Sequence, residues 1–136
     1  MVVKELMSTN PIVVSVGESV GGAVAKLNEA DIRHVPVVES GRLVGIVSDR
    51  DLRRLLDSAL DVIPGKSQNP LLTRSVAALM STDVISLHPE SGVEEAIDLM
   101  IKHKIGAIPV LEPNSLKVIG IISYIDVLRA ARSALS

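Results

Sequence analysis

The sequence predicts a mixed α/β (α+β) fold made of two tandem β-α-β-β-α repeats. Three observations lead there. When Val3 is aligned on Val76, "VKELMST" returns as "VAALMST", and Val20, Ala23, Ile32, Pro36, Val37 and Glu39 then meet Val93, Ala96, Ile105, Pro109, Val110 and Glu112. Past the two extra residues Asn114 and Ser115, Gly45, Ile46, Ser48, Asp51, Arg54 and Leu60 meet Gly120, Ile121, Ser123, Asp126, Arg129 and Leu135. Second, each copy alternates stretches of helical period with short β-branched runs. Third, a chain of 136 residues that is 47% apolar has the length of one ordinary domain and ample material for a core.

The elements follow in order. An extended piece, Ile12 to Val14 or Val84 to Leu87, opens each copy. Ser19 or Ser91 then precedes a first helix whose apolar residues, Val20, Val24 and Leu27 or Val93, Ile97 and Met100, fall on one face. "HVPVV" and "LVGIVS", separated by "ESGR", read as a hairpin, and "AIPVL" and "KVIGIIS" around "EPNSL" read as its counterpart. A second helix starts at Asp49 or Tyr124, with Leu52, Leu55 and Leu56, or Val127, Leu128 and Ala131, facing one side. The expected boundaries are 1–60 for the first repeat, 61–75 for a linker with two prolines and a glycine, and 76–136 for the second repeat. Three short strands under two helices bury little alone, so each repeat is expected to serve as the other's partner face.

Composition removes several functions. The chain has no Phe, no Trp and only Tyr124, so aliphatic residues must fill the core, and the stacking platform of a single-strand binder is missing. Fourteen Lys and Arg against sixteen Asp and Glu give a net charge of -2, which is not the footprint of a nucleic-acid partner. The absence of cysteine excludes disulfides, thiolate catalysis and Cys-based metal sites. No basic, apolar leader opens the sequence and no apolar run approaches a membrane span, so a cytoplasmic protein without membrane contact is expected. His34, His88 and His103 lack metal-like spacing, and no metal is expected. "GKS" at 65–67 is not a Walker loop, because Leu60 stands where its first glycine belongs and Pro70 spoils a following helix. No serine lies in a Gly-x-Ser-x-Gly elbow. No catalytic residue is assigned, and the protein is not expected to be an enzyme.

A ligand site is nevertheless suggested. Ser48 and Ser123 stand where a strand turns into a helix, each with an aspartate, Asp51 or Asp126, three positions on. A helix start offers unpaired N–H groups and a favourable dipole to a phosphate, the serine hydroxyl adds a donor, and the carboxylate can accept from both hydroxyls of a ribose diol. The same spacing is also a capping box that satisfies the helix's own donors, and the pattern leaves both uses open. Arg50 lies in the first turn and could meet a phosphate. Arg53, four residues from both Asp49 and Asp57, reads more simply as part of an ion-pair ladder. Arg54 and its counterpart Arg129 suggest a shared structural or dimer-surface role, and Tyr124 reads as an ordinary helix-start aromatic.

"IRHVPVVESGRLVGIVSDRDL" and "IGAIPVLEPNSLKVIGIISYIDV", with "LMST" opening both copies, resemble the CBS domain, the module named after cystathionine β-synthase. The two together resemble a stand-alone Bateman module, and the likeness spans almost the whole chain. It implies two repeats packed through their sheets with pseudo-two-fold symmetry. It also implies an adenosine-containing ligand in the clefts between them, either an adenine nucleotide (AMP, ADP or ATP) or an S-adenosyl compound, bound for regulation and not as a catalytic cofactor. Ser48, Asp51, Ser123 and Asp126 match the positions that in nucleotide-binding relatives contact phosphate and ribose. Arg33 and His34 match a place where such relatives often hold phosphate, and the second repeat has Gly106 and Ala107 there, so the first site is expected to fill first. Val35, Pro36, Ile108 and Pro109 would line an apolar adenine slot while also packing the core, with Ile12 and Ile85 on the strands entering the clefts. Protonated His34 should strengthen phosphate binding as pH falls from about 8 to about 6. A homodimer and an unidentified effector protein in another polypeptide complete the expectation. The alternative is a dimerisation or protein-interaction module of the same fold with vestigial clefts.

Overall fold

The computed structural model describes residues 1–53 and 70–135. In chain order the elements are β1 (Ser8–Thr9), β2 (Val14–Ser15), α1 (Val20–Ala30), β3 (His34–Glu39), β4 (Arg42–Ser48), α2 (helical over 49–53), α3 (Val93–His103), β5 (Ala107–Leu111), β6 (Val118–Ser123) and α4 (Tyr124–Leu135). Short 3-10 turns lie at Val3–Glu5, Pro70–Thr73 and Val76–Ala78. Arg54, Leu55, Leu56, Asp57, Leu60, the linker over 61–69 and its Gly65-Lys66-Ser67 lie outside the described residues.

Two compact units form. The first comprises Ile12–Val84, and the second joins Met1–Pro11 to Ile85–Ser136. The opening "LMST" segment of each repeat therefore belongs to the unit that holds the other repeat's strands. In the first unit Ser81 pairs with Ile46 through two N–H to O bonds of 2.9 Å, and in the second β1 pairs antiparallel with β6, Ser8 opposite Ile121. Gly45 and Gly120 make room for this. A Cβ at Gly45 would stand 2.6 Å from Met80 Sδ and 3.0 Å from the Ser81 carbonyl oxygen, and one at Gly120 would stand 2.7 Å from Met7 Sδ and 3.0 Å from the Ser8 carbonyl oxygen. The glycine and the methionine recur in both repeats because one admits the other.

The first unit's sheet has the order β2-β3-β4, with β2 parallel to β3 and β3 antiparallel to β4. Ser40 (φ 53°) and Gly41 (φ 79°) form the two-residue turn, the left-handed pair that suits the twist of a tight hairpin. Continued unbroken from Glu39 opposite Arg42, the ladder would set Arg33 against Ser48. A register shift between Val37 and Val38 leaves Val44 as an extra residue, so His34 faces Ser48 instead and the Asp49 N–H donates to the Arg33 carbonyl at 2.8 Å. The second unit repeats this in the order β1-β6-β5. A shift between Val110 and Leu111 sets Ala107 opposite Ser123, and the Tyr124 N–H donates to the Gly106 carbonyl at 2.9 Å.

Both cores are aliphatic. Val14, Val20, Leu27, Val35, Val37 and Val47 fill the first, and Val3, Leu87, Ala96, Ile108, Val110 and Ile122 fill the second. α1 starts as expected, with Ser19 Oγ accepting from the Gly22 N–H at 3.1 Å, and ends where Asp31 turns left-handed. α3 departs from expectation. Its cap is Gly92, because Ser91 Oγ instead accepts from the His88 N–H at 3.0 Å one turn earlier. The opening strand of the first repeat is displaced to Val14–Ser15, since Lys26 Nζ takes the Val13 carbonyl at 2.9 Å. Of 84–87, Leu87 bridges Val110 in parallel. On α4 Val127 packs against the core while Leu128 is 57% exposed and Ala131 is exposed, contrary to the shared face expected. Neighbouring helical residues point about 100° apart, and here the narrow inward face of α4 takes Val127 and leaves Leu128 outside.

Candidate functional site

The hairpin register builds a polar cluster in the first unit. His34 opens β3 opposite Ser48, the last residue of β4, and α2 begins at once. Ser48 Oγ accepts from the Asp51 N–H at 3.1 Å, which caps the helix. Among the described residues the Asp51 carboxylate accepts no hydrogen bond; it acts on His34 through space. Burial pushes the half-buried His34 imidazole below its ordinary range, and the Asp51 and Asp49 carboxylates pull it partly back. Arg33 and Arg53 converge on one atom: Arg33 Nη1 lies 3.5 Å and Arg53 Nε 3.1 Å from Asp49 Oδ2. Arg53 thus makes the Asp49 rung of the expected ladder, and Arg50 is exposed in the same turn.

In the second unit the same Ser-x-x-Asp spacing is used differently. Asp126 Oδ2 accepts from the Ser123 N–H at 2.9 Å and from Ser123 Oγ at 3.1 Å, while the Asp126 N–H donates to Ser123 Oγ at 3.3 Å. This is the complete reciprocal capping box. Gly106 and the nearly buried Ala107 occupy the places of Arg33 and His34, and Tyr124, 48% exposed, stands at the position of Asp49. The register therefore sets His34 beside Ser48 and Asp51 in one unit, and Ala107 beside Ser123 and Asp126 in the other.

The apolar residues differ in exposure. Val35, Pro36, Ile108 and Pro109 have essentially no exposed surface and are core residues. Val35 and Ile108 point into the two cores, while Pro36 and Pro109, one residue on, lie on the opposite faces of their sheets. Ile12 is 42% exposed on the segment that Lys26 fixes, and Ile85 is half-buried against the second core. These two keep apolar surface. Among the described residues no cluster of three His, Cys, Asp or Glu could hold a metal, and no helix is long and apolar enough to cross a membrane.

The sequence profile of the CBS domain matches residues 3–58 and again residues 76–133. The chain belongs to the CBS domain family. It is 31% identical over 125 residues to the CBS domain-containing protein YhcV of Bacillus subtilis, covering 91% of this chain and 81% of that protein. Among solved structures, it is similar to the CBS domain pair of protein MJ0100 in complex with 5-methylthioadenosine and S-adenosyl-L-methionine, at a TM-score of 0.83 and 27% identity, covering 98% of each chain. CBSX2 in complex with AMP gives a TM-score of 0.81 and 29% identity, covering 99% of this chain and 98% of that one. Within this CBS pair, the sequence reading overlooked that Asp49 joins Arg33 to Arg53. The signal lay in the hairpin, but without the bulge at Val44 the ladder sets Ser48, not Asp49, opposite Arg33.

Proposed function

We propose that the protein is a regulatory module that binds an adenosine-containing ligand and transmits its bound state to another polypeptide. The first unit takes an adenine nucleotide of the AMP or ATP kind. The observation that carries this reading is the juxtaposition of His34 and Arg33 with Ser48, Arg50 and Asp51 at the start of α2. Arg33 and Arg50 supply charge-assisted donors to a phosphate, and Ser48 Oγ and the first-turn N–H groups add neutral ones. The Asp51 carboxylate, which accepts no hydrogen bond within the described residues, receives the two ribose hydroxyls. Ile12 offers the apolar surface for the base. Complexes of the two related CBS pairs with AMP and with methylated adenosyl sulfur compounds support an adenosine ligand.

The second unit suits a nucleoside without phosphate. Gly106 and Ala107 bring no cation, and with Oδ2 of Asp126 accepting from Ser123, Oδ1 is the oxygen that meets a ribose hydroxyl. Ile85 is the apolar residue with surface to contribute there. Ligand binding here is regulatory and leaves the ligand chemically unchanged. The exposed Tyr124, Ile125 and Leu128 of α4 are the surface through which two copies associate as a homodimer. Thermal shift against AMP, ATP, adenosine, methylthioadenosine and S-adenosylmethionine tests the reading, because a ligand that binds only the folded form raises the Tm by mass action. AMP or ATP should give the largest shift. A Tm unmoved by all five compounds would overturn the proposal in favour of a pure interaction module.

A further inference from the structure

We infer that Asp49 is an internal anion that occupies Arg33, an arginine of the phosphate site, together with the neighbouring Arg53, and sets how strongly the site prefers a phosphorylated nucleotide over its nucleoside. The inference rests on the reading of this site as a nucleotide site. Its basis is geometric. Arg33 reaches Asp49 from the start of β3 and Arg53 reaches it from α2, and both guanidinium groups end on the same oxygen, Oδ2. One carboxylate oxygen flanked by two guanidiniums is the arrangement that a phosphate oxygen would adopt there.

The cluster is not holding the fold together. Both arginine side chains are well exposed, 64% and 70%, and exposed ion pairs contribute little to stability. Asp49 is more enclosed at 25%. The repeat supplies a second, independent argument. Arg33, Asp49, Arg50 and Arg53 correspond to Gly106, Tyr124, Ile125 and Leu128, so all four charges are absent together from the other copy. A helix-start aspartate kept only for its effect on the helix dipole would have no reason to vanish along with the three arginines. Asp49 instead follows the cations it neutralises.

An incoming phosphate must draw Arg33 and Arg53 away from Asp49 and bind beside that carboxylate. Both steps weaken binding of the phosphorylated ligand and leave the nucleoside largely unaffected. Removing the charge should therefore favour the nucleotide. A dianion about 5 Å from a carboxylate at a solvated surface is disfavoured by about tenfold in affinity.

The test is calorimetric titration of the full chain with AMP and with adenosine, for the wild type, Asp49→Asn and Asp49→Asn combined with Arg33→Ala. The expected result is an AMP-to-adenosine affinity ratio raised about tenfold in Asp49→Asn and returned towards the wild-type value by the added Arg33→Ala. Should Asp49→Asn not fold, as judged by its melting curve, Asp49→Ser carries the same expectation. A ratio that is unchanged or lower in the folded variant overturns the inference while the nucleotide reading stands, and a lower ratio makes Asp49 a positioning residue for the arginines. A wild type that binds neither AMP nor adenosine overturns both.

Discussion

Asp51 and Asp126 occupy equivalent places in the two repeats, yet replacing each by alanine should have opposite consequences. In Asp126→Ala the Ser123 N–H and the Ser123 hydroxyl both lose the carboxylate oxygen that accepts from them at 2.9 and 3.1 Å. The cap bond from the Asp126 N–H to Ser123 Oγ survives, and loss of the reciprocal half of the box costs about 1 kcal/mol, within the range of roughly 0.5–1.5 for a hydrogen bond. At an unfolding entropy of about 2.1 cal/mol/K per residue, a chain of 136 residues should lose about 3 to 4 °C of Tm for each kcal/mol. A second unit that melts by itself should lose roughly twice as much. In Asp51→Ala the bond that caps α2 runs from the main-chain N–H to Ser48 Oγ and survives. Its Tm should fall by no more than the surface-substitution range of about 0.5 kcal/mol allows. What Asp51→Ala should lose is nucleotide affinity, by about 1.5–3 kcal/mol, the value of hydrogen bonds to a charged group. Differential scanning calorimetry of both variants, with titration of AMP into each, separates the effects. Equal Tm losses in the two variants would refute the reasoning, because they would mean that the two carboxylates share one structural role.

Four further outcomes are expected. Gly120→Ala should destabilise by about 1–3 kcal/mol, the cost of overpacking, since the Ser8 carbonyl cannot retreat as a side chain can; adding Met7→Ala should recover part of it, and chemical denaturation of the single and double variants measures both. Because burial holds His34 below its ordinary range, the unfolded chain binds more protons as pH falls through about 6.5. Stability should therefore decline on the acid side, and a urea-midpoint series in His34→Gln should show a shallower decline. For the same reason the gain in AMP affinity on acidification should lie to the acid side of the window from about 8 to about 6 that an unperturbed imidazole gives, as titrations across pH will show. Light scattering at micromolar concentration should find a dimer that Leu128→Glu converts to a monomer.

Much of the fold was legible because its signals are local. The helical spacing of Val20, Val24 and Leu27, the Ser19 cap and the Ser40-Gly41 turn all act within a few residues. What escaped was set at a distance or by single-residue shifts. The segments carrying Met7 and Met80 pack against glycines far along the chain, and periodicity carries no information about that pairing. The Val44 bulge moves every pair on the open side of the hairpin by one, which is why the Arg33–Asp49 contact did not follow from the turn. The Ser-x-x-Asp pattern specified two helix starts correctly. It could not say that Asp126 would close its capping box while the Asp51 carboxylate would accept no hydrogen bond among the described residues, because a three-residue spacing permits both.

Chain order gives the two units different histories during synthesis. Every residue of Ile12–Val84 has been made once the ribosome passes Val84, so the first unit can close early. The strand Ser8–Thr9 is made before the other strands, but its partner residues Gly120 and Ile121 come more than a hundred residues later. At about 5–20 residues per second the amino-terminal segment waits on the order of 5 to 20 s with its edge unpaired. Through that interval Met7 and the strand beside it are available to chaperones. A neighbouring nascent chain that has already completed residues 118–123 presents the same groove, so exchange of the first eleven residues between copies should rise with translation density.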